Sequence, residues 1–177
     1  MDWKLTLVFD LETDGLEATT IHCISIYDSE TDEILSYNDT GGTEPVIRGI
    51  QRIQDADTIV GHNIIGYDLP TISRLHGWFN YRNVVDTLLL SRLYRTDLLK
   101  VDNARKWRYM PLQLYGRHSL KAWGYRLGVY KGCFSETTDW KEWSPEMEAY
   151  CEQDVKVTTK LCDHFHDYLT GLKPNIR

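Results

Sequence analysis

The sequence has few cysteines and no long apolar run. Its four cysteines, Cys23, Cys133, Cys151 and Cys162, form no CxxC pair, so reduced, partly buried thiols are favoured over a disulfide framework or a zinc site. No stretch approaches the roughly 20 apolar residues that span a bilayer, and no charged segment followed by an apolar one opens the chain. We therefore expect one cytoplasmic domain over residues 1–177, with no membrane partner and a core large enough to fold without a structural metal.

The charge of the chain is unevenly distributed. The net charge of −6 is unexpected for a protein that binds nucleic acid. Between Arg92 and Lys131, however, ten lysines and arginines accompany only Asp97 and Asp102, which gives this stretch about +8 and the remainder about −14. Such a stretch indicates a local phosphate-binding face. The alternative is that these cations are solvated or paired with acids elsewhere.

Hydrophobic patterning predicts an α/β protein with a mixed sheet between helices. Three short strands in succession indicate an antiparallel meander, and alternating helices and strands follow. The segment 95–116 is predicted to be a long basic and aromatic loop. The predicted strands cover 5–9, 20–27, 33–37, 58–60 and 83–86, and the predicted helices begin near 46, 69, 87, 117 and 144, the last of them running to about 169 and stopping at Gly171.

Asp10 and Glu12 form the first candidate metal-binding pair. If the first strand continues through them, their side chains project from the same face, roughly 6–7 Å apart. Two carboxylates converging at the end of a buried strand repel each other, and a divalent cation relieves that repulsion. The alternative is that both acids belong to a surface turn.

Two further segments carry acids in structured positions. Asp68 follows a predicted strand and lies near a helix N-terminus, where ligands bind in α/β folds, although a simple N-cap explains it equally well. Tyr150 and Asp154 are four residues apart on the last helix and therefore share a face. An ordinary amphipathic helix with an exposed acid is the alternative.

Taken together, the order Asp, Glu, Asp, Asp with a tyrosine resembles the tyrosine-bearing (DEDDy) branch of the DEDD exonuclease superfamily. The closer resemblance is to the proofreading domain of family A DNA polymerases, particularly those of the T-odd podophage type. The resemblance runs from residue 5 to about 170 and includes the segments 85–93 (VDTLLLSRL), 119–128 (SLKAWGYRLG) and 153–158 (QDVKVT). The histidine-bearing branch places its histidine five residues before the last aspartate, where this chain has Ala149.

The resemblance implies a ribonuclease H-like fold with a five-stranded mixed sheet and helices on both faces. It implies a two-metal-ion 3′→5′ DNA exonuclease that releases nucleoside 5′-monophosphates, with Tyr150 orienting the attacking water. It also implies that two Mg²⁺ or Mn²⁺ ions, roughly 3.5–4 Å apart, are held by the four acids, Asp10, Glu12, Asp68 and Asp154.

The same resemblance suggests residues that bind the substrate, a single-stranded or frayed DNA 3′ end. Thr13 and Leu16 match positions around the 3′-terminal nucleotide, with Leu16 as an apolar wedge, and Asn63 matches a substrate-contacting asparagine. An exposed turn leucine is the alternative for Leu16. Basic residues interleaved with aromatic ones are candidates for tracking the DNA backbone: Arg105, Lys106, Arg108 and Arg117, with Trp107 and Tyr109.

Several biological settings fit this resemblance. A free-standing phage exonuclease, acting in the cytoplasm of the infected host with a separately encoded DNA polymerase chain, is favoured over a domain excised from a longer protein. The alternatives are an RNA-trimming 3′→5′ exonuclease of the same superfamily and a non-catalytic DNA-binding accessory protein.

Overall fold

The computed structural model describes residues 6–41, 44–77, 79–129 and 140–171, and its centre is one five-stranded mixed sheet. The order of the strands is β3-β2-β1-β4-β5. β1, β2 and β3 pair antiparallel, whereas β4 pairs parallel with β1 and β5 parallel with β4. This confirms the predicted meander and mixed sheet. The strands are β1 (Thr6–Thr13), β2 (Ile21–Asp28), β3 (Glu33–Asn38), β4 (Thr58–Gly61) and β5 (Asn83–Asp86).

Seven helices lie within the described residues. The longest, α6, begins as the sequence predicts, because the Ser144 hydroxyl accepts a hydrogen bond from the Met147 N–H and Pro145 occupies the first turn. No helix in the described ranges is long and apolar enough to cross a membrane. The helices are α1 (Val46–Asp55), α2 (Asp68–His76), α3 (Thr87–Tyr94), α4 (Leu98–Arg105), α5 (Leu120–Leu127), α6 (Pro145–His164) and α7 (His166–Leu169).

Helices cover both faces of the sheet. Alternate side chains of β1, among them Leu7, Phe9 and Leu11, pack into one buried cluster together with residues of α1 and α2. Val8 points to the opposite face, where it packs against Val60 and Val155, the latter on α6. Because side chains alternate along a strand, Asp10 and Glu12 share the α6 face with Val8.

The prediction of a loop over 95–116 is wrong. Residues 98–105 form α4, and a short 3₁₀ turn follows at Leu112–Leu114. Only two side chains of α4 are buried, Leu98 and the charged Asp102. A helix that buries so few apolar residues needs no apolar stripe in its sequence. Periodicity therefore gives no signal for this helix.

The last helix also differs from the prediction. It ends at His164 rather than running to 169, and α7 follows as a separate turn. Phe165, at the break, is fully buried and meets Trp123 edge-on with 5.7 Å between ring centroids. Burial of this ring redirects the chain, so Gly171, with a positive φ of 74°, follows α7 instead of ending the long helix.

Candidate active site

Strand β1 extends beyond its parallel neighbour and carries Asp10 and Glu12 to the edge of the sheet. Its pairing with β4 ends at Val8, whereas its pairing with β2 continues, with Asp10 opposite Ser25 and Glu12 opposite Cys23. Both acids are half-buried, and the residues between and beside them are buried. The two carboxylates therefore face α6 from the end of β1, where β1 still pairs with β2 but no longer with β4.

Asp68 lies at the start of α2 and is only 4% exposed. Burial raises the pKa of this carboxyl to about 7, the negative charge of Asp86 adds to the increase, and a hydrogen bond from the Leu11 N–H opposes it. A buried carboxyl with this pKa is stabilised in its charged form by a nearby cation.

The turn between β4 and α2 is held in place by Asp86. The Asp86 carboxylate accepts hydrogen bonds from the backbone N–H groups of Asn63 (3.0 Å) and Ile65 (3.1 Å) and caps α3 through the Leu88 N–H (2.9 Å). Asn63 has a positive φ of 67°, a conformation that asparagine tolerates better than most residues. Asp86 thus fixes the segment that leads from the sheet to Asp68.

Helix α6 supplies Tyr150, Cys151 and Asp154, all of them buried. Tyr150 and Asp154 are one turn apart on the same face. The ring of Tyr150 meets Trp140 edge-on, with 6.1 Å between centroids, which restricts where the phenol can point. The face of α6 that covers β1 thus presents a hydroxyl and a carboxylate toward Asp10.

Two adjoining cavities bring the predicted residues together. The smaller, about 330 Å³, is lined by all four acids and Tyr150, together with Leu11, Leu16, His62, Asn63, Tyr67 and Trp140. The larger, about 740 Å³, shares Asp10, Tyr150 and Asp154 with it. The side chains from β1, the β4–α2 turn and α6 therefore converge on one place, although they are far apart in sequence.

The Leu16 side chain projects from a tightly held turn and is 91% exposed. Hydrogen bonds from the Thr19 hydroxyl and then the Thr20 N–H lower the pKa of Asp14, in the same turn, to about 2. On the other side, the Tyr67 hydroxyl donates to the Gly15 carbonyl at 2.7 Å and lies 2.6 Å from the Thr13 hydroxyl. The fold thus presents an apolar side chain at the rim of the smaller cavity.

Thr13 is not among the residues that line either cavity. It is buried, and its hydroxyl holds Tyr67 and Gly15. Thr13 therefore stabilises the turn that carries Leu16. Direct contact of Thr13 with a nucleotide stays a prediction. Asn63, by contrast, lines both cavities.

The predicted basic residues divide into two groups. Arg117 lines the larger cavity. Arg105, Lys106 and Arg108 are exposed and line neither cavity, and two of them lie over aromatic rings: Arg105 is 4.0 Å from the Trp107 centroid, and Arg108 is 5.0 Å from that of Tyr109. For these three, contact with DNA stays a prediction.

Sequence reasoning missed four ionisable side chains of the larger cavity, Arg92, Lys121, His62 and His118. Arg92 lies in α3 and Lys121 in α5, both within segments that carry the family resemblance, so the signal was present. Arg92, Arg117 and Lys121 therefore place three cationic side chains in the cavity that Asp10 and Asp154 also line.

Other cations of the basic stretch have structural partners. Arg126 forms two hydrogen bonds with Asp102, Nη2 to Oδ2 at 2.7 Å and Nε to Oδ1 at 3.1 Å, and both side chains are buried. Arg95 pairs with Asp97. Part of the local positive charge is therefore neutralised inside the stretch.

Cys151 was not singled out from the sequence, yet it lies beside the acids. Its Sγ donates to the Asp10 carbonyl at 3.3 Å and is 3.8 Å from Oδ2 of the same residue. Burial, the neighbouring Cys23 and the acids raise the pKa of its thiol well above its ordinary value. Its position three residues before Asp154 on a helix would have indicated a shared face. Cys23, Cys151 and Cys162 are free thiols, as predicted, and Cys133 lies outside the described residues.

The donor atoms at this place suit a divalent cation. One ligand atom each from Asp10, Glu12 and Cys151 lie within 4.8 Å of one another, and Asp68 and Asp154 line the same cavity. Carboxylate oxygens are the ligands that Mg²⁺ and Mn²⁺ prefer. The residues present therefore fit the metal that the resemblance implies.

Two phage DNA polymerases are similar to this chain over most of its length. The DNA-directed DNA polymerases of Escherichia phage T7 and Enterobacteria phage T3 are each 33% identical over 184 aligned residues, which cover 89% of this chain and 26% of the polymerase. The chain thus spans about a quarter of the length of these relatives.

Solved structures of nucleases share the fold. Brucella melitensis NrnC with bound Mg²⁺ has a TM-score of 0.63 at 21% identity, covering 95% of this chain and 76% of that one. The EXO domain of Aedes aegypti Nibbler has a TM-score of 0.51 at 13% identity, covering 94% and 85%. Because residues 7–166 also match the RNase H superfamily, this chain belongs to that superfamily.

Proposed function

We propose that this chain is a metal-dependent 3′→5′ exonuclease that removes nucleotides from single-stranded or frayed DNA ends, as in proofreading during phage DNA replication. The observation that carries the proposal is the single cavity in which Asp10, Glu12, Asp68, Asp154 and Tyr150 meet. Similarity to two phage DNA polymerases over most of the chain supports DNA as the substrate.

The four acids would hold two Mg²⁺ or Mn²⁺ ions, which activate a water for attack on phosphorus and stabilise the leaving oxygen when bound. Asp10 and Asp154 both line the two cavities, and the resemblance implies that Asp10 would contribute to both ions. Tyr150, held edge-on by Trp140, would accept or donate one hydrogen bond to the attacking water and so fix its direction.

The surroundings of the acids suit the last nucleotides of a strand. Leu16 and Trp140 give the smaller cavity apolar walls against which any base can stack, which requires no particular sequence. Arg92, Arg117 and Lys121 line the adjoining cavity and would contact the phosphates further along the strand. A paired terminal nucleotide must first leave its stack, and a mismatch lowers the cost of doing so.

The test is a gel time course on a 5′-labelled primer with a 3′ mismatch, in Mg²⁺, Mn²⁺ or EDTA. We expect stepwise shortening from the 3′ end with either metal and none in EDTA. Asp10→Ala and Asp154→Ala should reduce turnover by several orders of magnitude, because each removes a metal-binding carboxylate. Tyr150→Phe should lose less.

The matched control is Asp163→Ala, which removes an exposed carboxylate from the same helix. Wild-type turnover by both Asp10→Ala and Asp154→Ala would overturn the proposal and leave a DNA-binding role. An RNA primer of the same sequence, run in parallel, separates a DNA exonuclease from an RNA-trimming one. Cleavage of the RNA alone would refute the substrate proposed here.

Partnership with a DNA polymerase follows from the same similarity, because the matched region is about a quarter of each polymerase chain. We propose that the substrate reaches this site from a polymerase, encoded separately or in one longer chain. Co-purification of the exonuclease with a polymerase from infected cells tests the separately encoded arrangement.

A further inference from the structure

A thiol lies among the carboxylates of the proposed nuclease site. Cys151 Sγ is 3.8 Å from Asp10 Oδ2, and single ligand atoms of Cys151, Asp10 and Glu12 lie within 4.8 Å of one another. These residues come from two elements, β1 and α6, that pack directly on each other. A two-metal phosphodiesterase that uses Mg²⁺ needs only oxygen ligands, so the sulfur has no role in the proposed reaction.

We propose that Asp10, Glu12 and Cys151 form a binding site for a thiophilic divalent cation, Zn²⁺ or Cd²⁺, that competes with Mg²⁺. The proposal deepens the proposed function, because it rests on two of the same acids, but cation binding does not depend on cleavage. Zn²⁺ takes mixed sulfur and oxygen ligands in tetrahedral sites, whereas Mg²⁺ and Mn²⁺ select oxygen.

The distances allow such a site with small movements. Zinc–sulfur bonds are about 2.3 Å and zinc–oxygen bonds about 2.0–2.2 Å, so two ligands of one tetrahedral ion are about 3.4–3.7 Å apart. The three ligand atoms already lie within 4.8 Å. Rotation of the half-buried Asp10 and Glu12 side chains, which moves their carboxylate oxygens by about 1 Å, brings all three ligand atoms within reach of one ion.

Binding breaks the S–H bond of Cys151, forms a sulfur–metal bond and releases the proton to solvent. The ion supplies the charge that makes this exchange favourable in a buried place, since a coordinating thiol is deprotonated by the metal. Because Asp10 belongs to both sites, an ion held by Cys151 withdraws Asp10 from Mg²⁺. Zn²⁺ should therefore inhibit, with an inhibition constant that rises as Mg²⁺ is added.

The test is titration of the intact protein with Cd²⁺, in a non-thiol reductant, followed through the thiolate-to-cadmium charge-transfer band in the ultraviolet. The wild type should develop the band and release a proton. Cys151→Ser should lose the band. Cys162→Ser is the matched control, because Cys162 is a second thiol on the same helix but outside the three-ligand group, and it should keep the band.

A second variant keeps the test independent of the folding of Cys151→Ser. Glu12→Gln keeps the thiol but replaces a charged carboxylate with a neutral amide, which is a weaker ligand, and we expect Cd²⁺ to bind at least about 10-fold more weakly, since even residues outside the first shell change metal affinity by about 10–100-fold. No band in the wild type, or a band that persists in Cys151→Ser, would overturn the proposal. Unchanged affinity in Glu12→Gln would also do so.

These results separate the two proposals. A Cys151-dependent band in a protein that cleaves no nucleic acid would refute the exonuclease and leave this cation site standing. Stepwise cleavage in Mg²⁺ without a cadmium band would refute this cation site and leave the exonuclease standing.

Discussion

The buried pair of Arg126 and Asp102 gives the sharpest test of how this fold is held together. The Arg126 side chain is 5% exposed and that of Asp102 0%. Asp102 also accepts hydrogen bonds from the Trp107 indole at 2.9 Å and the Gly116 N–H at 2.8 Å. Arg126→Ala leaves this carboxylate buried without its cation, and breaking such a pair costs about 3–5 kcal/mol.

The exposed pair of Arg82 and Asp57 is the matched control. Their side chains are 66% and 39% exposed, and exposed pairs contribute about 0–1 kcal/mol. Urea denaturation should give a loss of unfolding free energy several times larger for Arg126→Ala than for Arg82→Ala. A loss of 1 kcal/mol or less in Arg126→Ala would refute the assignment of Asp102 as an ionised, cation-dependent centre.

The stabilisation should also depend on pH. Burial alone would raise the pKa of Asp102, but hydrogen bonds from Arg126, Gly116 and Trp107 outweigh it and hold the pKa below its ordinary value. A depressed folded-state pKa stabilises the protein above the unfolded pKa, about 3.9, and that contribution is lost as the pH falls further. The stability difference between wild type and Asp102→Asn should therefore shrink below about pH 4; a difference that does not change with pH would contradict this.

Three further predictions concern the site and its support. Leu16→Ala should raise KM for a single-stranded primer without changing Tm, because the side chain is 91% exposed. In EDTA, the stability of Asp68→Asn relative to wild type should increase as the pH rises from 4 through 7, because the raised pKa of about 7 makes ionisation of the buried carboxyl unfavourable in the folded protein; saturating Mg²⁺ should reduce this increase. Gly61→Ala should lower Tm, at a cost of about 1–3 kcal/mol, since its Cβ would lie 2.1 Å from Ile64 Cγ2; an unchanged Tm would refute the close packing.

Much of the fold follows from local patterns. All five strands and the start of α6 could be predicted because their signals lie within a few residues: a short apolar run in β1, or a serine followed by proline at the start of α6. Asp10 and Glu12 could be placed on one face for the same reason. The resemblance added one five-stranded mixed sheet with helices on both faces. The order of the strands, which no local pattern contains, was not predicted.

The parts of the fold and of the site that were not predicted from the sequence depend on contacts between distant segments. Helix α4 is anchored by the buried Asp102, and its partner Arg126 lies 24 residues away, so no apolar period predicts it. Arg92 and Lys121 reach the larger cavity only because α3 and α5 pack beside the acids. Cys151 approaches Asp10 across 141 residues. These contacts between distant segments depend on packing, although the family resemblance around Arg92 and Lys121 and the spacing of Cys151 from Asp154 marked those three residues in the sequence.

The same buried pair connects the stability of the basic segment with the proposed DNA-binding cavity. Arg126 Nη1 donates a hydrogen bond to the Arg117 carbonyl at 2.8 Å, and the Asp102 carboxylate accepts one from the Gly116 N–H. Gly116 and Arg117 both line the larger cavity, whereas Asp10 and Asp154 are positioned by β1 and α6. Under conditions where Arg126→Ala is still folded, KM for a primer several nucleotides long should therefore rise while kcat changes little. Equal losses in kcat and kcat/KM would mean that Arg126 acts on the acids themselves.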